Sequence, residues 1–180
     1  MTNMKDANDV KKIKELKPTK SVKDVHASSS ARRASEVITI VVGSHPDAER
    51  DDRPLAYRFQ KRLEAAVAAG GSPGEGFPQV QIVTDLWYLN DPTLVAAPAI
   101  VLGTVNTNAA VAHLASRLPQ TLVVDGEFEI QLDQLASDPR VCLRGVDAPS
   151  TERAVRVFIE KFLAQWLEST RVAVSPTHNR

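Results

Sequence analysis

Residues Val37 to Val42, reading Val-Ile-Thr-Ile-Val-Val, constrain the fold of this chain more than any other stretch. All six are β-branched and five are apolar, and six residues are too few for a helix of ordinary length. Branching at Cβ costs rotamer freedom in a helix but packs well on a pleated sheet. A strand without alternating polar positions is one covered on both faces, as central strands of parallel sheets are. Gly43 ends the run. Ser44, His45 and Asp47 follow where open α/β sheets hold ligands, just outside a strand's carboxyl end.

The pattern recurs downstream. Val80 to Thr84 reads as a second strand closing on Asp85, and Ala99 to Leu102 as a third, closing on Gly103-Thr104-Val105-Asn106-Thr107-Asn108. Between the first two, Leu55, Phe59, Leu63, Ala66 and Val67 form an apolar stripe at helical spacing that ends at Gly70. Asp52 is the expected N-cap with Pro54 in the first turn, which leaves Ser44 to Arg53 as a long polar loop. Gly71 to Pro78 is a connector, its glycines placed after a helix rather than before one. Trp87-Tyr88 is the densest aromatic pair, read as an edge or subunit contact, and a short turn is expected near Thr93 to Ala97. Thr107 or Asn108 caps a helix from Ala109 to Leu118, with His113 on its partly exposed side.

Asp125-Gly126 between Thr121 to Val124 and Glu127 to Gln131 predicts a tight type I′ hairpin. Phe128 and Ile130 alternate with Glu127, Glu129 and Gln131, which predicts an edge with one wet face. Asp133 to Ser137 is expected to make a helical turn, and Val141 to Leu143 another strand, too close behind the hairpin for a full parallel crossover. Ser150 or Thr151 then caps a long last helix whose stripe of Val155, Phe158, Ile159, Phe162, Leu163, Trp166 and Leu167 is wider than one sheet face needs. The surplus would suit a partner subunit.

Together these elements predict a three-layer α/β fold with a mostly parallel open sheet, a β-hairpin near residues 121–131 and a C-terminal helix. The pattern resembles doubly wound domains of the flavodoxin-like or Rossmann-like kind, a likeness of architecture from which function does not follow. Residues 36–170 are long enough for one such domain. Residues 1–35 hold nine Lys or Arg against four acids and few large apolar side chains, so they read as a disordered basic tail able to meet an acidic partner. Val10, Ile13 and Leu16 could make a turn of helix there, Arg32-Arg33-Ala34-Ser35 has the form of a basic-directed phosphorylation site, and residues 171–180 read as a second disordered end. The rest of the chain is mildly acidic, which argues against a broad phosphate-binding face. Cys142 is the only cysteine, so no intramolecular disulfide forms and the thiol reads as a buried structural group. With no long apolar run, the chain reads as cytoplasmic.

The strand ends gather Ser44, His45, Asp47, Asp85, Thr104, Asn106, Asn108, Arg144 and Asp147 toward one rim. In that set His45 oriented by Asp85 is the candidate general base. Ser44, Thr104, Asn106, Asn108 and Arg144 are the candidate ligand contacts, with Arg144 suited to a carboxylate or phosphate. Ser44 lacks a Gly-x-Ser-x-Gly elbow, and neither Gly-x-Gly-x-x-Gly nor a phosphate-binding Gly-x-x-x-x-Gly-Lys motif follows a strand. His45, Asp47 and Asp85 have ligand chemistry without diagnostic spacing, so no metal site and no named cofactor is assigned. The functional expectation is a domain binding a small anionic ligand of the nucleotide or sugar-phosphate class at the carboxyl edge of the sheet. The alternative is a non-catalytic assembly module that uses Trp87-Tyr88 or the 151–168 helix for self-association, and the basic tail for docking.

Overall fold

A computed structural model describes residues 37–70, 78–133 and 138–170, and the backbone of 171–174. The expectations for the tail, most of the Gly71 to Pro78 connector, the turn at 134–137 and residues 175–180 lie outside the described residues, whereas residues 171–174, expected to be disordered, continue the last helix.

Six strands form one sheet: β1 (Val37–Val42), β2 (Gln79–Thr84), β3 (Ala99–Gly103), β4 (Gln120–Val124), β5 (Phe128–Leu132) and β6 (Arg140–Gly145), in the spatial order β2-β1-β3-β6-β5-β4. The first four in that order run parallel, while β5 is antiparallel to β6 and β4 to β5. The short link between hairpin and β6 explains the reversal, since two parallel strands need a crossover of a dozen residues or so.

On one face lie α1 (Pro46–Gly70), α5 (Ala148–Lys161) and α6 (Leu163–Val174). The other carries α2 (Asp85–Asn90), α3 (Pro92–Ala96) and α4 (Ala109–Leu114). This is a mixed α/β, mostly parallel, three-layer architecture of the Rossmann or flavodoxin-like kind. In β1, Ile38, Ile40 and Val42 pack under α1 and α5, whereas Val41 faces the α2–α4 layer with Val83, Val101 and Cys142. The double burial expected of this strand follows from its central place. Phe158 anchors the first layer, with edge-on rings to Phe59 at 6.2 Å and to Trp166 at 6.1 Å.

Several local expectations are corrected. Helix α1 starts at Pro46, so the ten-residue polar loop is the helix's own first turns, with Asp47 and Glu49 near its positive end. Proline suits a first helical turn, and Pro46 takes that place instead of Pro54, which lies inside α1. Asp52 is therefore an interior helical residue, and buried. The last helical stretch is capped by Asp147, which accepts from Ser150 N at 2.8 Å, rather than by Ser150 or Thr151. It breaks at Phe162, and Val155, Phe158, Leu163, Trp166 and Leu167 are spent on the core. Tyr88 is buried among Val83, Leu94 and Val111, so only Trp87 of that pair faces outward.

The hairpin forms, but Asp125, Gly126 and Glu127 separate the paired residues Val124 and Phe128, one more than a two-residue turn holds. Gly126 there has φ +71°, a conformation open to glycine at little cost. The wet edge is β4. All five residues of β5, including Glu129 and Gln131, are buried. Gln131 Nε2 reaches the carbonyls of Ala115 and Leu118 at 3.0 and 3.3 Å, closing the end of α4 over β5. No helix among the described residues is long and apolar enough to cross a membrane.

Candidate functional site

The strand order reverses between β1 and β3, and a ligand in such a fold is expected at the crevice where their carboxyl ends part. Here the chain's own groups fill it. Thr107 lays its carbonyl over Gly43, where a Cβ would sit 1.9 Å from that oxygen. Asn108 caps α4 through Oδ1, accepting from Ala110 N and Val111 N, and its Nδ2 donates to Leu102 O at 2.8 Å and Val41 O at 3.4 Å. Asp85 Oδ1 accepts from Ser44 N and Leu86 N at 2.9 and 2.8 Å, and its Oδ2 from Ala109 N at 2.7 Å.

Asp85 thus ties three chain segments together with both carboxylate oxygens engaged. His45, exposed, accepts from Asp47 N through Nδ1 at 3.2 Å, and the same nitrogen lies 3.5 Å from an Asp47 carboxylate oxygen. Its described partner is Asp47, not Asp85. Ser44 offers its amide to Asp85 and keeps its side chain at the exposed surface.

Thr104, Asn106 and Arg144 do come together. They line a cavity of 430 Å³ beyond the end of β3, closed on its far side by the hairpin turn. That volume falls in the range of small-molecule sites. Thr104 Oγ1 pairs with Thr107 Oγ1 at 3.0 Å and accepts from Asn106 N at 3.3 Å, which holds the β3–α4 loop as one wall. The floor follows from register. Gly103 pairs with Arg144, Arg144 with Glu129 and Glu129 with Val123, so one row crosses four strands, and directly opposed residues share a face.

Glu129 is the residue that sequence reasoning missed. Its side chain is 4% exposed, Oε2 pairs with the Arg144 guanidinium, and Oε1 has no hydrogen-bond partner among the described residues. Desolvating a carboxylate oxygen without a donor is costly, and such exceptions in a folded chain are few. Asp125 and Glu127 add two more carboxylates to the walls, with Glu127 held 3.2 Å from Arg153 Nε of α5. Val105, Val123 and Val146, 42%, 47% and 62% exposed, also line the cavity and give it an apolar lip.

A second missed group is Asp52. Its carboxylate lies against the end of β3, where a Cβ on Gly103 would be 3.0 Å from Oδ2, and Gly103 has φ +132°. Burial, with Asp51 alongside, pushes this carboxyl up to about 6. Cys142 stands in the α2–α4 layer, its thiol pushed up to about 12 by burial, as suits a structural thiol. No cluster of three or more His, Cys, Asp or Glu with metal-binding geometry occurs among the described residues.

The fold and this rim define a three-layer α/β domain with a polar cavity displaced from its topological switch point. Comparison of the chain with protein-family models, curated proteins and solved structures finds no match.

Proposed function

We propose that this protein binds a small molecule in the cavity between the β3–α4 loop, the end of β6 and the β4–β5 hairpin turn. The observation that carries the reading is the convergence there of Thr104, Asn106 and Arg144 with the buried, half-partnered carboxylate of Glu129. Sites of this kind combine an apolar wall with a few placed polar groups, and the valine lip supplies the wall. Ser44 and Asn108 belong to the bracing of the neighbouring crevice. His45 stands outside the set, so the reading is of binding, without assigned catalysis.

The expected nucleotide or sugar-phosphate class fits in part. Hydroxyl groups would suit Thr104, Asn106 and Glu129. A phosphate would find Arg144 already paired and Asp125, Glu127 and Glu129 on the same walls.

The test is a binding screen of small polar molecules on the full chain and on Asn106→Trp, an exposed position where an indole would cover the mouth. Hits lost in the variant, with its thermal stability intact, support the reading. Hits that bind both proteins equally would refute it.

An assembly role has its own observation: Leu86 and Trp87, consecutive in the first turn of α2, are 55% and 57% exposed. Sedimentation of Trp87→Glu against the parent chain tests it, and an unchanged mass would remove this reading.

A further inference from the structure

Resting on the cavity reading above, we propose that the site selects a small organic ammonium, with Glu129 Oε1 receiving the charged head and Val105, Val123 and Val146 receiving an apolar body. Glu129 has two oxygens in unlike positions. Oε2 is held by Arg144, and Oε1, shielded from water, accepts nothing among the described residues. A donor from the ligand would complete it once the side chains that cover it shift to admit the ligand. The carboxylate gives any donor a charge-assisted hydrogen bond, and an ammonium adds the attraction of opposite charges to it.

Hydroxyl donors would also satisfy Oε1, and the charge on the walls decides between the two. Arg144 balances Glu129 and Arg153 balances Glu127, so the Asp125 carboxylate is left in excess at the hairpin turn. The net field in the cavity is negative, and a field confined between low-dielectric walls draws the opposite charge. Anions meet both the excess carboxylate and the bare oxygen. Three valines form the lip, so the ligand that matches both features has a cationic end and a hydrocarbon end.

The experiment uses the full chain labelled with nitrogen-15 and three probes of similar size: 2-phenylethylammonium, 2-phenylethanol and 3-phenylpropanoate. The ammonium should shift the amides of Val105, Val123, Glu129 and Val146, with a Kd at least tenfold below that of the alcohol, while the propanoate leaves them unmoved. Glu129→Gln should bring the ammonium down to the alcohol's affinity. Because Glu129 is buried beside Arg144, the exposed Asp125→Asn runs in parallel and should weaken the ammonium at least twofold without affecting the alcohol. Alcohol or propanoate binding at these amides as tightly as the ammonium would overturn the inference and leave the cavity as the binding site. Shifts at other residues, with these four silent for every probe, would overturn the inference and the cavity reading together.

Discussion

The carbonyl oxygen of Thr107 stands over Gly43, 1.9 Å from the place a side-chain carbon there would take. This contact occupies the switch-point crevice. In open α/β sheets the strand ends at the switch point part to leave a crevice, and here the β3–α4 loop lies in it. The cavity lies one strand further along, over the ends of β3 and β6.

Gly43→Ala should therefore be severe. The new methyl would meet Thr107's backbone and, at 3.0 Å, Ala48 Cβ, neither of which can rotate away. We expect a loss of about 3 kcal/mol or more in urea unfolding, the upper end of overpacking costs. Gly126→Ala provides the contrast, with nothing within 4 Å and only a positive φ to resist it, and should cost about 1 kcal/mol.

Asp85→Asn tests whether that residue is a brace. An amide in its place turns one acceptor into a donor facing a backbone N–H, whether toward Ala109 or toward Ser44 and Leu86. The expected loss is about 2–3 kcal/mol in urea unfolding, the cost of orphaning a buried amide. A stability within about 0.5 kcal/mol of the parent would assign Asp85 some other role.

Asp52 carries a pH signature. Its carboxyl titrates near 6 in the folded chain against 3.8 as an ordinary carboxyl, so the native state holds its proton more tightly. The stability this group contributes is full below about 4 and is lost as pH rises through about 6. Asp52→Asn removes the burden, so the variant should match the parent near pH 4 and exceed it by about 1–2 kcal/mol at pH 8. Parallel stability curves across that range would contradict this account.

Cys142 should be silent toward thiol reagents in the folded protein. It is fully buried and its thiol is held far from ionisation, so labelling should follow the opening of the structure and rise with denaturant. Rapid stoichiometric labelling of the native chain would be inconsistent with the packing of the α2–α4 layer.

Much of the architecture was legible because strand runs and helical stripes report burial directly. Val37 to Val42 was readable as central since six β-branched residues with one polar member have few alternatives. The start of α1 was not readable, because Pro46 and Pro54 both have a polar residue shortly before them and only packing selects between them. That choice hid Asp52, which reads as an exposed cap from one start and as a buried helical residue from the other. Glu129 was missed for a related reason. Alternation of Phe128 and Ile130 with Glu127, Glu129 and Gln131 is the mark of an edge strand, yet β5 lies between β6 and β4, with α4's end over its polar face. Thr104, Asn106 and Arg144, which line one cavity, sit where strand ends lead. Pairing His45 with Asp85 required side-chain geometry that spacing along the chain does not carry.

The most direct test of the displaced site is a set of crystals of the full chain soaked with the small molecules that bind it. Ligand density is expected among Thr104, Asn106, Glu129, Arg144 and the hairpin turn, with the Thr107 carbonyl still over Gly43. Density between Ser44, His45 and Asp85, with the β3–α4 loop lifted off β1, would contradict it.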